Sequence, residues 1–212
     1  VLLLSGVRSG TDVMRGEETE ALGLRQYLGC HDEGPAVWIL PGTHSKHLLI
    51  ERGNIVEFAT YMTGELFDVL CTSSVLRHVT QSAASDERST AVETSGDFQA
   101  GLDEGRTMPL TNALFHVRTR AVLNGTSGPA NAAFLSGLLI GAEIAAVERN
   151  HPQVAQIVLC AAAKLAEPYQ RALTRFGLAA RSVVVPADVV ATLSIRGQCV
   201  ALERHASKLP RG

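Results

Sequence analysis

Apolar and polar positions alternate with two distinct rhythms along the chain, and the rhythm changes mark the elements. In EETEALGLRQYLG, Ala21, Leu22, Leu24 and Leu28 recur at helical spacing, Glu17 and Glu18 fall in the first turn, and Gly29 stops the run. This predicts a helix over 16–29. Three short β patterns follow: AVWIL (36–40), HLLIE (47–51) and IVEFATY (55–61). The last two are joined by Arg52, Gly53 and Asn54, a short Gly-containing loop of the hairpin kind. Helical patterns return in ELFDVLC (65–71), where Thr63 is a candidate cap, and in SVLRHVT (74–80). Residues 81–97 are small and polar and read as an exposed loop. FQAGLDEGR, LTNALFHVRTRAVL and ANAAFLSGLLIGAEIAAVERN (130–150) are helical, the last with Ser136, Gly137, Gly141 and Ala142 on a face that a neighbour can approach closely.

From 156 the rhythm becomes strand, helix, strand, helix. QIVLCAA (156–162) and RSVVVP (181–186) are continuous apolar runs, as buried parallel strands require. KLAEPYQRALTRFG and ADVVATLSIRGQCVALERHA are the helices between and after them. An antiparallel meander feeding a parallel βαβ unit, with a mixed sheet, is the layout of a ribonuclease-H-like α/β lobe. The helices over 64–150 are then an enlarged crossover. The opening VLLLSG has the pattern of a buried strand, and the chain begins at Val1 and not at a methionine. These features suggest two parts: 1–30, the remnant of an amino-terminal lobe, and 31–212, a carboxyl-terminal lobe.

Composition narrows the function classes. A formal net charge of −2 over 212 residues gives no basic surface for nucleic acid. Cys30, Cys71, Cys160 and Cys199 are far apart, and no C-x-x-C pair suggests zinc or redox chemistry, so a reducing cytosol is expected. No apolar run is expected to reach the roughly 18 residues of a membrane span.

Three clusters carry candidate chemistry. PGTHSK, at the end of the first meander strand, offers Gly42, Thr43, His44, Ser45 and Lys46: a glycine for close backbone approach, a run of N–H groups, hydroxyls and a cation, all suited to phosphate. It is not a P-loop, because the G-x-x-x-x-G-K-[ST] spacing is absent and a strand follows it. An ordinary polar turn has the same residue types. DVMRGEET (12–19) sets Arg15, Glu17, Glu18 and Thr19 at a helix start. This is either a capped helix or a general base or metal-positioning carboxylate, with Arg15 holding an anion. YMTGELF (61–67) adds Thr63 and Glu65.

DVMRGEET, VWILPGTHSK, ATYMTGELF and LSGLLIGAE, in that order and spacing, resemble the 2-dehydro-3-deoxygalactonokinase family over essentially the whole chain. The resemblance implies an actin/hexokinase-type ATPase fold of two lobes, ATP and Mg²⁺, and phosphorylation of the sugar acid 2-dehydro-3-deoxy-D-galactonate at its 6-hydroxyl. Glu17 or Glu18 would then be the catalytic base. Arg15, Thr19, Thr63 and Glu65 would bind the sugar acid, and Gly42 to Lys46 the ATP phosphates. Ala161, Ala162 and Ala163 would lie on the adenine side, where relatives have a Gly-rich turn. His47 stands where similar sequences carry tryptophan. The resemblance further implies that half of an ATP site lies in a lobe not represented here. The isolated chain is therefore expected to self-associate through Val1–Leu4 and to lack turnover. The alternatives are a phosphohydrolase of the exopolyphosphatase-like branch, to which GEE also bears likeness, and a non-catalytic phosphate-binding lobe.

Overall fold

The computed structural model describes residues 4–29, 34–80 and 96–207. Cys30, most of the expected 81–97 loop and Val1–Leu3 of the expected opening strand lie outside them. Five strands form one mixed sheet in the order β5-β4-β3-β6-β7. They are β3 (Ala36–Leu40), β4 (Ser45–Glu51), β5 (Asn54–Tyr61), β6 (Gln156–Leu159) and β7 (Ser182–Val184). The meander β3-β4-β5 is antiparallel, whereas β6 pairs with β3, and β7 with β6, in parallel. A separate two-residue hairpin, β1 (Val7–Arg8) with β2 (Val13–Met14), was not foreseen, being too short for any periodicity to show.

Both faces of β3 are covered, so all five of its residues are buried and its sequence is a continuous apolar run. Val37 and Ile39 point into one core with Ile157 and Leu159; Ala36, Trp38 and Leu40 point into the other with Leu48 and Val158. The first core is closed by α4 (Gly96–Thr107), α6 (Gly128–Asn150) and α7 (Ala163–Arg175). The second is closed by α1 (Glu17–Leu28) and α9 (Leu193–Ala206), through Ala21, Leu24 and Leu193. α1 thus shares its core with the sheet, although it comes from the segment expected to belong elsewhere. A third cluster joins α6 to α2 (Thr63–Thr72), α3 (Arg77–Thr80) and α5 (Leu110–Asn124).

The small residues on α6 act as expected. An added Cβ at Gly137 would sit 2.1 Å from the Phe98 carbonyl oxygen, so the α4 and α6 backbones are in direct contact there. Contrary to the expectation that no apolar run is that long, α6 is, among the described residues, the one helix long and apolar enough to cross a membrane; 83% of that window is buried inside the fold, which is why it is apolar all round.

Several boundaries differ from expectation. Ser45 and Lys46 belong to β4 and not to the turn, because their backbone pairs with Tyr61 and Thr60. The 156–162 run ends as a strand at Leu159, where the chain turns into α7. The terminal helix breaks into α8 (Ala187–Val190) and α9. Gly96 and Asp97, expected in a loop, open α4.

Candidate active site

Parallel pairing of β3 with β6 sends both strands to the same sheet edge, with Ile39 beside Leu159. The connections then leave in opposite directions, to β4 on one side and to α7 and β7 on the other. Such a switch point is where α/β sheets open a crevice for ligands. At this edge the Gly42–His44 turn and the Cys160–Ala163 turn are neighbours.

The turn has an open tip and a buried stem. Thr43 and His44 are exposed, while Ser45, Lys46 and His47 are buried. The N–H groups of Gly42, Thr43 and His44 donate no hydrogen bond among the described residues. Two neighbours fix the turn. The Glu65 N–H donates to the Thr43 carbonyl at 3.0 Å. Gly64 packs so tightly that a Cβ there would lie 2.5 Å from the Gly42 oxygen. The His44 ring nitrogen Nε2 meets Glu65 Oε2 at 2.5 Å.

The acidic cluster meets the same stem. Lys46 Nζ lies 3.4 Å from Glu17 Oε1, with the lysine side chain 4% exposed. Glu17 Oε2 accepts from the Arg15 N–H at 3.1 Å, and Glu18 Oε2 from the Gly16 N–H at 2.6 Å. The two carboxylates therefore hold the backbone that leads into α1, and they sit in its first turn, where the helix dipole favours negative charge. Glu18 also takes the Thr19 hydroxyl at 3.3 Å. Arg15, Gly16, Glu18 and Thr19 line one wall of a cavity of about 540 Å³, closed by Leu4 and by Gln198, Ala201 and Leu202 of α9. Asp12 anchors the β1–β2 hairpin beside it, accepting from the Thr60 N–H and hydroxyl at 2.6 and 2.7 Å.

Beneath the turn lies a group that reading the sequence did not single out. Glu143 of α6 is 2% exposed and accepts from Ser45 Oγ at 2.6 Å, His47 Nε2 at 3.0 Å and Tyr169 OH at 2.8 Å, and from the Thr63 hydroxyl. Burial alone would push its carboxyl pKa up, but the hydrogen bond and charge of His47, with the Ser45 and Thr63 hydroxyls, outweigh it and hold the pKa below the ordinary value. The nearby charge of Glu143 adds to burial in pushing Tyr169 well above the phenolic range. Thr63, read as a helix cap, is instead the first residue of α2, its hydroxyl turned to Glu143. The signal was present: Glu143 is the only charged residue in the 18 positions from Ala130 to Val147, and a lone charge in a buried helix demands partners.

All three expected clusters thus reach one sheet edge. Ala161 is buried there, and Ala162 and Ala163 are exposed at the start of α7. The fold and this edge define an α/β domain with a site suited to an anionic ligand.

Residues 2–195 match the family model for 2-keto-3-deoxy-galactonokinase, and the chain belongs to that family. It is 36% identical over 195 residues to the "Probable 2-dehydro-3-deoxygalactonokinase" of Rhizobium meliloti (strain 1021), covering 91% of this chain and 61% of that protein. Identity to the 2-dehydro-3-deoxygalactonokinase of Escherichia coli (strain K12) is 36% over 168 residues, covering 78% of this chain and 53% of the relative. A Sinorhizobium meliloti crystal structure assigned as a 2-dehydro-3-deoxygalactonokinase superposes with a TM-score of 0.77 at 34% identity, over 92% of this chain and 64% of that one. The chain therefore spans between about half and two thirds of the length of these relatives.

Proposed function

We propose that the chain forms the phosphate-gripping part of an ATP-dependent kinase that transfers phosphate to the 6-hydroxyl of 2-dehydro-3-deoxy-D-galactonate in galactonate catabolism. It would do so on a ribonuclease-H-like lobe of actin/hexokinase type. The observation that carries the proposal is the convergence of three separate segments at the carboxyl ends of β3 and β6. Gly42–Lys46 offer N–H groups and a buried cation, α1 two carboxylates, and the start of α2 the Glu65 N–H that holds the Thr43 carbonyl.

Phosphoryl transfer asks a protein mainly to position groups and offset charge. In this reading the Gly42, Thr43 and His44 N–H groups receive the β/γ-phosphates, and Lys46 neutralises the group in flight. Ser45 supports the turn from below, its proton being donated to Glu143. Glu18, in the same cavity as Arg15 and Thr19, takes the proton of the sugar hydroxyl, while Arg15 holds the sugar-acid carboxylate. Glu17, beside Lys46, orders the phosphate side. Thr63 and Glu65 shape the turn from the α2 side, and Ala161–Ala163 offer a flat approach to the adenine. Magnesium enters as the MgATP complex, held largely through its phosphates as this ion prefers, with Glu17 and Glu18 as the carboxylates at this edge.

The test uses the protein extended by the portion of the R. meliloti relative that this chain does not span. Coupled ADP release should appear with 2-dehydro-3-deoxygalactonate and not without an acceptor. Phosphate release at the same rate with no sugar acid present would instead mark a phosphohydrolase, and no turnover with any acceptor a binding lobe.

A further inference from the structure

The carboxylate of Glu143 is saturated. Oε1 takes Ser45 and His47, and Oε2 takes Thr63 and Tyr169. An ionised carboxylate has about four lone-pair sites, so no acceptor capacity is left for substrate or metal. Its side chain is 1% exposed, beneath the turn. Its work is done through its partners, and those come from three different elements. Ser45 and His47 begin β4 and carry the open turn. Thr63 begins α2, whose Gly64 and Glu65 clamp that turn. Tyr169 belongs to α7, the helix that grows out of the Ala161–Ala163 turn. β3 and β6 are adjacent strands, so the two turns stand side by side, but a sheet edge alone leaves each free to tilt. Glu143 ties the stem of one to the helix behind the other.

We propose that Glu143 is a positioning residue that sets the spacing between the Gly42–His44 turn and the amino-terminal end of α7, and so couples the two halves of a single nucleotide site. The inference rests on the nucleotide-binding reading above and adds to it a coupling between phosphate and base. Charged hydrogen bonds of this kind hold geometry more firmly than neutral ones, and a buried network with every member satisfied is rigid. Tyr169 is the only one of the four donors on the α7 side. Removing its hydroxyl should uncouple α7 while Ser45, His47 and Thr63 keep the phosphate turn in place.

The experiment measures binding of MgATP and of tripolyphosphate by titration calorimetry on the 212-residue chain, with thermal melts to confirm that each variant folds. For the wild-type chain MgATP should bind more tightly than tripolyphosphate. Tyr169→Phe should leave tripolyphosphate affinity within about twofold and weaken MgATP roughly threefold to tenfold, about 0.7–1.4 kcal/mol, the worth of one hydrogen bond. Glu143→Gln, which disturbs all four donors, should weaken both ligands. Thr63→Ser, which keeps the hydroxyl, should restore what Thr63→Val loses for tripolyphosphate. A Tyr169→Phe chain that loses both ligands equally, or neither, overturns the coupling. So does a wild-type chain that binds the two ligands equally. A wild-type chain that binds neither ligand also overturns this inference, while the nucleotide reading itself stands or falls on ADP release by the extended protein.

Discussion

Gly197→Ala is the sharpest probe of how α1 is held. The α1 and α9 helices cross where Gly197 meets Thr19. A Cβ on Gly197 would stand 1.8 Å from the Thr19 carbonyl oxygen, against a floor of 3.0 Å for real Cβ contacts, so the helices must part by about 1.2 Å. The obstacle is backbone and cannot rotate away. Overpacking of this kind costs about 1–3 kcal/mol. The better helix propensity of alanine offsets up to about 1 kcal/mol of that. A net loss of roughly 1–2 kcal/mol corresponds to a melting temperature lower by about 2–8 °C in a chain of this size. The functional consequence is larger than the energy suggests. Thr19 lies two residues beyond Glu17, whose carboxylate is 3.4 Å from Lys46. A shift of that size would carry the pair beyond the ion-pair reach of about 4 Å. Circular-dichroism melts should be run beside Gly10→Ala, whose added Cβ would meet nothing within 4 Å. Equal melting temperatures for the two variants would refute the crossing.

Other outcomes follow from the site. Because the folded-state pKa of Glu143 is depressed, its ionised form contributes stability above the unfolded value of about 4.3, and that contribution is lost as pH falls through the folded pKa. Urea melts should therefore show a gap between wild type and Glu143→Gln at pH 6 that narrows below about pH 4.3; a gap that widens in acid would contradict the assignment. In the extended protein, Glu18→Gln should lower kcat by about 10²–10⁴ while MgATP still binds, and near-wild-type turnover would remove it as the base. Burial, with the charge of Glu20, pushes the Cys160 thiol pKa up to about 12, whereas Cys199 is exposed. Iodoacetamide at pH 8 followed by peptide mass spectrometry should thus label Cys199 in the native state and Cys160 only after unfolding. Asp12→Asn should release the β1–β2 hairpin, read as faster amide exchange at Thr60, whose N–H it now accepts at 2.6 Å.

Local order in the sequence was enough for the meander, for the α1 and α6 helices and for the parallel pair after 156. Each is specified by a repeat of apolar positions that survives in any context, and Gly29 closes α1 with φ near 76°, a conformation glycine adopts freely. The three polar clusters were also legible, since residue types suited to anions stand out beside apolar strands. Their convergence was not. Lys46 and Glu17 are 29 positions apart, and Ser45 and Glu143 are 98 apart. No periodicity encodes which strand will lie beside β3, and it is that parallel pairing with β6 that puts the two turns on one edge. Burial likewise divided a motif that looks uniform on paper: Thr43 and His44 face out, whereas Ser45, Lys46 and His47 are drawn under the sheet edge by ladder pairing with β5. The sequence by itself therefore determined the elements and the chemical character of their ends. Which of those ends meet, and which side chains are left open to a ligand, was decided by tertiary packing, because long-range contacts depend on how whole faces are covered and not on any residue's neighbours in the chain.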